Sequence, residues 1–260
     1  MDIKILVAAH KRFPMPADKD LYLPVLVGAT KNYKNGIEYQ RDDEGDNISY
    51  KNPNYNELTA IYWAWKNLDC DAVGLVHYRR LFSKGGKREL NNTLNKEQVK
   101  RLLDRAPIIL PKKRNYYIES NYSHYVHAHH KEPLDATRKI IEESYPSYLT
   151  NFDKVMKKRS AHMFNMFVMQ KKEFNQYAEW LFDILSKLEN KIDITEYSVQ
   201  EARVYGYISE LLMDVWIETN NKSYVESSWI QIGRRQLMAK IINFLKRKFL
   251  RNAGNSRTHF

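Results

Sequence analysis

Several groups of side chains in this chain have the types and spacing that chemistry requires. His77-Tyr78-Arg79-Arg80 follows directly on an apolar run, residues 72–76. Two guanidiniums at the C-terminal end of a buried strand suit bidentate binding of phosphate oxygens. The plainer alternative is a solvated basic turn. His10 and Lys11 close an earlier apolar run, residues 4–9, in the same way. Open α/β sheets bind ligands beyond the carboxyl ends of their strands, so both groups are expected to face one crevice. Glu210, behind Gly206-Tyr207-Ile208-Ser209, is expected to open a helix as either a helix-dipole partner or a general base. Asn165 is an amide inside the apolar run 163–169, where it either satisfies backbone groups or points at a ligand.

Two further clusters raise the question of a metal. The acidic loop Asp42, Asp43, Glu44 and Asp46 offers the carboxylate oxygens that Mg²⁺ or Mn²⁺ prefers, or else is an ordinary solvated loop. His124, His127, His129 and His130 crowd one segment without a cysteine and without a zinc-like spacing. Hydrogen bonding to a substrate suits them better, with Asp135 near enough to orient a ring. No phosphate-binding glycine loop, dinucleotide fingerprint or nucleophile elbow is present, which leaves hydride transfer and ATP hydrolysis without support.

These residues need a scaffold, and the apolar pattern supplies one. Runs at 4–9, 72–76, 107–111 and 163–169 read as buried strands. Apolar residues at helical spacing mark helices over 57–67 (with Asn54 or Asn56 to cap it), 95–105, 134–143, 174–188 and 204–217. Residues 115–131 read as a Tyr/His-rich loop. Strands alternating with helices predict the α/β class, with a mostly parallel sheet flanked by helices.

The single cysteine, Cys70, fits a reducing compartment. The N-terminus lacks the pattern of a signal peptide, and no apolar run is long enough to cross a bilayer as a helix. Net charge is +11, but eight cations (Arg234, Arg235, Lys240, Lys246, Arg247, Lys248, Arg251 and Arg257) follow the last acidic residue, Glu226. That leaves the body near +3, from 11 minus 8. A nucleic-acid binder would carry its basic stripe on the folded domain, so no nucleic-acid partner is expected. In the tail, Leu237, Met238, Ile241, Ile242, Leu245 and Phe249 at helical spacing predict an amphipathic basic helix lying on an anionic membrane surface. The expected division is a domain over 1–225 and a membrane-associating tail over 226–260.

In order along the chain, the strings VAAHK, GDNISYKN, YNELTAIYWAWKN, VGLVHYRRLF, HMFNMFVM and ARVYGYISELL resemble the bacterial capsular and exopolysaccharide family catalogued as domain of unknown function 4422. The resemblance covers roughly residues 3–218. It implies a glycosyltransferase of the GT-A type, some members being similar to galactofuranosyltransferases. The implied donor is a UDP-sugar and the implied acceptor a lipid-linked glycan, at the inner face of the cell membrane. The main alternative is a non-catalytic, membrane-peripheral polysaccharide assembly or binding protein. Carried over by position, Ala9, His10, Lys11, Asp46, Asn47 and Glu57 would lie near the nucleotide, and His129 would meet the acceptor. His77, Tyr78, Arg79 and Arg80 stand where such enzymes usually have an Asp-x-Asp metal motif, which puts a divalent-metal requirement in doubt. Asn165 would approach the donor sugar. Glu210 would be the catalytic base of an inverting displacement, with Asp135 next in line.

Overall fold

The computed structural model describes residues 1–233; the tail helix expected over residues 234–260 lies outside them. Strand β1 (Ile3–Ala9) is followed by β2 (Tyr22–Leu26), a short α1 (Ala29–Asn32), β3 (Gln40–Arg41), α2 (Asn52–Tyr55), α3 (Leu58–Asn67), β4 (Ala72–His77) and β5 (Arg80–Phe82). Then come α4 (Lys96–Leu103), β6 (Ile108–Pro111), β7 (Arg114–Asn115), α5 (Asn121–Ala128), α6 (Glu132–Ser144) and α7 (Pro146–Lys157). The chain continues through β8 (Ser160–Ala161), β9 (Phe167–Gln170), α8 (Lys171–Glu189), α9 (Val204–Thr219), β10 (Val225–Ser227) and β11 (Trp229–Gln231).

The main sheet has the order β10-β6-β9-β4-β1-β2-β3. The pairings make β9 the one strand on this path that runs against the others. The expected α/β class with a mostly parallel sheet is what forms. β1 is apolar along its length because both its faces are covered: Leu6 and Ala8 join the core under α3, α8 and α9, whereas Ile3, Ile5 and Val7 join the core under α4. The chain winds outward from β1 to β2 and β3, then returns to β4 on the other side of β1. This puts a topological switch point at the C-terminal ends of β1 and β4, where His10 and His77 lie.

Several local expectations are corrected. Residues 115–131 are not all loop: Ser120 accepts from the Ser123 backbone and caps α5. Neither Asn54 nor Asn56 caps α3. The Asn54 amide donates to the Ala202 carbonyl, while Asn56 accepts from Arg203. The strand expected over 163–169 begins only at Phe167, because Phe164 and Asn165 have φ of 75° and 52° and form a left-handed turn ahead of it. β10 pairs with β6, and β11 pairs with β5, so residues 226–231 belong to the sheet rather than to the tail. No helix among the described residues is long and apolar enough to cross a membrane.

Candidate functional site

The turn before β9 is the structural centre of the site. Buried Asn165 donates from Nδ2 to Glu57 Oε1 (2.7 Å) and to the Gly206 carbonyl (3.2 Å), and it accepts from Ser209 Oγ (2.9 Å). One amide thus ties the first residue before α3 to the first turns of α9. A left-handed conformation costs a non-glycine residue energy, and here two successive residues are held in it by this network and by packing. Gly206 lets the Asn56 side chain lie against the start of α9: a Cβ there would lie 2.5 Å from Asn56 Nδ2. Asn165 therefore stands at the turn, holding Glu57, and not along the strand as the sequence suggested.

His77 closes the same turn from the sheet side, its Nε2 lying 2.6 Å from the Phe164 carbonyl. A carbonyl only accepts, so Nε2 carries the proton and Nδ1 is left as an acceptor in the neutral ring. Burial lowers the basicity of His77, against the pull of Glu57. Arg80 lies over the Phe164 ring at 4.4 Å, with its Nε buried and without a partner. Burial also lowers the basicity of this guanidinium, while Glu210 and Glu57 act to keep the charge.

Glu210 is not at the start of a helix. It lies in the second turn of α9, half-buried, so the helix-dipole reading has no geometric basis. Burial, and next the negative charge of Glu57, push its carboxyl up to about 7, against the Phe164 backbone hydrogen bond and the charges of Arg80 and Arg114. A carboxyl that titrates near neutrality beside a recess has the property a general base needs.

The ends of β1 and β4 form a cationic aromatic ledge. The Phe13 ring stacks on Tyr78 at 3.7 Å, and His10 meets both rings edge-on. Phe13 is pinned because Tyr39 Oη accepts from its N–H and donates to its carbonyl. Lys11 lies over Phe13, and Arg79 near Tyr78. Burial, with the charges of Lys11, Arg79 and Arg203, lowers the basicity of His10. Arg203, which the sequence reading missed, thus adds another cation to this crevice, and it sits one residue before α9. Its guanidinium donates to Asn56 Oδ1 (2.7 Å). Ala9 contributes backbone: its carbonyl accepts from the Val27 N–H.

Other expected residues are not brought here. Asp46 accepts from Tyr62, and its backbone is held by Asn67 at the C-terminal end of α3, about 15 Å along that helix from Glu57 at 1.5 Å per residue. Asn47 is committed to its own loop, bonding to the Asp43 and Gly45 carbonyls and to Ser49. Asp135, on the exposed face of α6, pairs with Lys131 (3.2 Å) and with Tyr122 of α5 (3.0 Å). The histidines do not converge. His124 and His127 share Glu119, His130 pairs with Glu201, and His129 stacks on Tyr207 at 4.0 Å.

The acidic loop is spent on structure. Fully buried Asp42 accepts from the backbones of Gly28 (2.7 Å) and Ala29 (2.9 Å) and from the hydroxyls of Ser49 and Thr59 (both 2.5 Å). Asp43 takes a bidentate Arg41. No cluster of three or more potential ligand side chains occurs among the described residues.

Glu210 and His129 line a recess walled also by Tyr116, Asn121, Tyr125 and Tyr207. It adjoins the Arg80–Glu57 cluster through Glu210. The site is thus a cationic ledge and an aromatic recess meeting at a near-neutral carboxyl.

The family model described as "Domain of unknown function (DUF4422)" matches residues 4–222. Among solved structures, the chain is similar to the apo form of the WbbM bifunctional glycosyltransferase, with a TM-score of 0.80 and 33% sequence identity. The match covers 90% of this chain and 46% of that one, so the chain spans less than half of that protein's length. No curated protein matches it.

Proposed function

Because the chain belongs to the DUF4422 family, and on the strength of the site just described, we propose that it is a glycosyltransferase that moves a sugar from a nucleotide donor to a glycan hydroxyl. The likeness to a glycosyltransferase over 90% of the chain supports the class. The observation that carries the mechanism is Glu210, with a carboxyl near neutrality and a recess on one side.

In this reading the donor diphosphate lies at the ends of β1 and β4. Arg79 and Arg80 neutralise the charge that develops on the departing nucleotide, with Lys11 and Arg203 adding to the field and the uncharged His10 ring available for hydrogen bonding. The Phe13–Tyr78 stack offers a face to the nucleobase. Glu210 takes the proton from the attacking hydroxyl as it reaches the anomeric carbon, and a single displacement inverts the configuration there. Glu57 holds the Glu210 carboxyl at a working basicity by charge repulsion, and Asn165 fixes Glu57. The donor set at the β4 end is imidazole, phenol and guanidinium, which does not fit Mg²⁺ or Mn²⁺. No step is assigned to a metal.

We extend the proposal to a UDP-sugar donor, galactofuranose among the candidate sugars, and to a lipid-linked acceptor of capsule, exopolysaccharide or O-antigen synthesis, met at the cytoplasmic membrane face through the basic segment after Gly233. The test is incubation of the full chain with a panel of UDP-sugars, with and without glycan acceptors. Acceptor-stimulated UDP release with an inverted product supports the reading. A retained configuration rules out the role given to Glu210, and no turnover with any nucleotide-sugar removes the enzymatic reading.

A further inference from the structure

The recess beside Glu210 contains an unusual concentration of unsatisfied polar atoms. Tyr116 Oη, Tyr125 Oη and Asn121 Oδ1 are buried and without a hydrogen-bond partner, and all three residues line this one recess. Tyr116, Tyr125 and Asn121 are 9%, 5% and 1% exposed, so bulk water does not satisfy them. The amide orientation of Asn121 is fixed, because Nδ2 donates to the Val155 (2.8 Å) and Ser160 (3.2 Å) carbonyls, leaving Oδ1 as a pure acceptor. Buried polar groups are normally paired, so three orphans around one cavity mark a place where a ligand supplies the partners.

The chemistry of the wall restricts that ligand. Two phenols that donate and accept, together with one acceptor oxygen, match hydroxyl groups. A phosphate or carboxylate offers only acceptors and would leave Asn121 Oδ1 unpaired. Burial raises both phenols well above their ordinary range, so they stay uncharged. An anion would also face Glu210, and the carboxylate of Glu119 lies just outside, already shared by His124 and His127. Much of the remaining wall is aromatic, completed by Met163 and Leu211: Tyr116 is stacked on His124 at 3.9 Å, and His129 on Tyr207 at 4.0 Å. The partly positive C–H face of a sugar ring packs well on such rings.

We propose that this recess is the subsite for an uncharged glycosyl ring, the sugar of the acceptor that carries the attacking hydroxyl, held by Tyr116, Tyr125 and Asn121 and presented to Glu210. The assignment to the acceptor rests on the glycosyltransferase reading above, because it is the base that must meet the attacking hydroxyl. The ledge cations lie at the strand ends, whereas the recess beyond Glu210 is walled by phenols, an amide and imidazoles, with Arg114 over the Tyr116 ring at 5.2 Å. The donor diphosphate is therefore placed on the ledge and the acceptor sugar in the recess, with Glu210 between them.

The experiment is saturation-transfer NMR on the full chain, with and without UDP. The probes are methyl β-galactopyranoside, methyl α-glucopyranoside, methyl α-mannopyranoside and methyl β-glucuronide. At least one neutral hexoside is expected to bind, and the glucuronide is not. Tyr116→Phe and Tyr125→Phe remove one hydroxyl each with little change of shape. Each is expected to weaken hexoside binding about fivefold or more while melting at or above the wild-type temperature, since an unpaired buried group has been deleted. Hexoside binding equal to wild type in both variants, equal binding of the glucuronide, or no hexoside binding with or without UDP overturns the proposal. A protein that binds UDP but no hexoside overturns the recess assignment alone. One that binds a hexoside but no nucleoside diphosphate overturns the acceptor role together with the glycosyltransferase assignment.

Discussion

Replacing Glu210 by Gln separates catalysis from stability, because its carboxyl is held up to about 7 from an ordinary 4.5. A raised carboxyl pKa means that the folded protein binds more protons than the unfolded chain between these two values. Stability is therefore fully present below about pH 4.5 and falls as pH rises through about 7. At about 1.4 kcal/mol per pH unit the loss would be about 3.5 kcal/mol, and partial exposure of the residue to the recess reduces it to about 2 kcal/mol. Glu210→Gln carries no charge to desolvate. It is expected to match wild type in urea unfolding at pH 4.5 and to exceed it by about 2 kcal/mol at pH 8. The same variant is expected to bind UDP normally and to release it from a UDP-sugar about a hundredfold more slowly, the scale for losing a general base. In wild type, turnover should rise through about pH 7 and level off above it. Equal stability of the two proteins at pH 8 refutes the burial argument, and turnover in the variant within a few-fold of wild type refutes the role as general base.

Other consequences follow from the surrounding packing. Glu57→Gln removes the repulsion that helps to raise Glu210, so the rising limb of the pH–rate profile should move to lower pH, and an unmoved limb would disconnect the two carboxylates. Gly74→Ala puts a Cβ at 2.9 Å from the Phe167 carbonyl, where β4 and β9 pair and the backbone has little room to give. A loss of about 1 to 3 kcal/mol in urea unfolding is expected from the overpacking. Truncation after Gly233 should leave UDP affinity unchanged and abolish sedimentation with anionic vesicles. Vesicle binding that survives truncation would remove the membrane role of the tail.

The sequence reveals most where burial is two-sided or periodicity is long. β1 and β4 are legible because both faces of an inner strand must be apolar, and α8 and α9 because their stripes are long. His77-Tyr78-Arg79-Arg80 and Glu210 are legible for the same reason, since they interrupt or end such patterns. Short elements give no such signal: β10 and β11 have three residues each, and α5 is hidden among tyrosines and histidines whose polar atoms disguise an inward face. The Asn165 turn is invisible because Met163, Phe164 and Met166 are apolar like the strand that follows, so the amide reads as an interruption within one strand and only positive φ values set the turn apart. Asp42 illustrates the opposite error. Acidic neighbours suggested a cation site, yet the carboxylate faces inward to backbone N–H groups and two hydroxyls. Arg203, Tyr116 and Tyr125 reach the site through tertiary packing, which leaves no mark on local spacing.

The central claim is that the cationic ends of β1 and β4 hold the diphosphate of a nucleotide donor. Calorimetric titration of UDP into wild type, Arg79→Ala and Arg80→Ala tests it directly. Each charge-assisted contact contributes about 1.5 to 3 kcal/mol, so one saturable site is expected in wild type, with affinity lowered about tenfold or more in each variant. Arg79 is exposed, so its variant should also melt at the wild-type temperature, which makes a loss of affinity attributable to the contact itself. No saturable UDP binding in wild type, or equal affinity in all three proteins, would contradict the account.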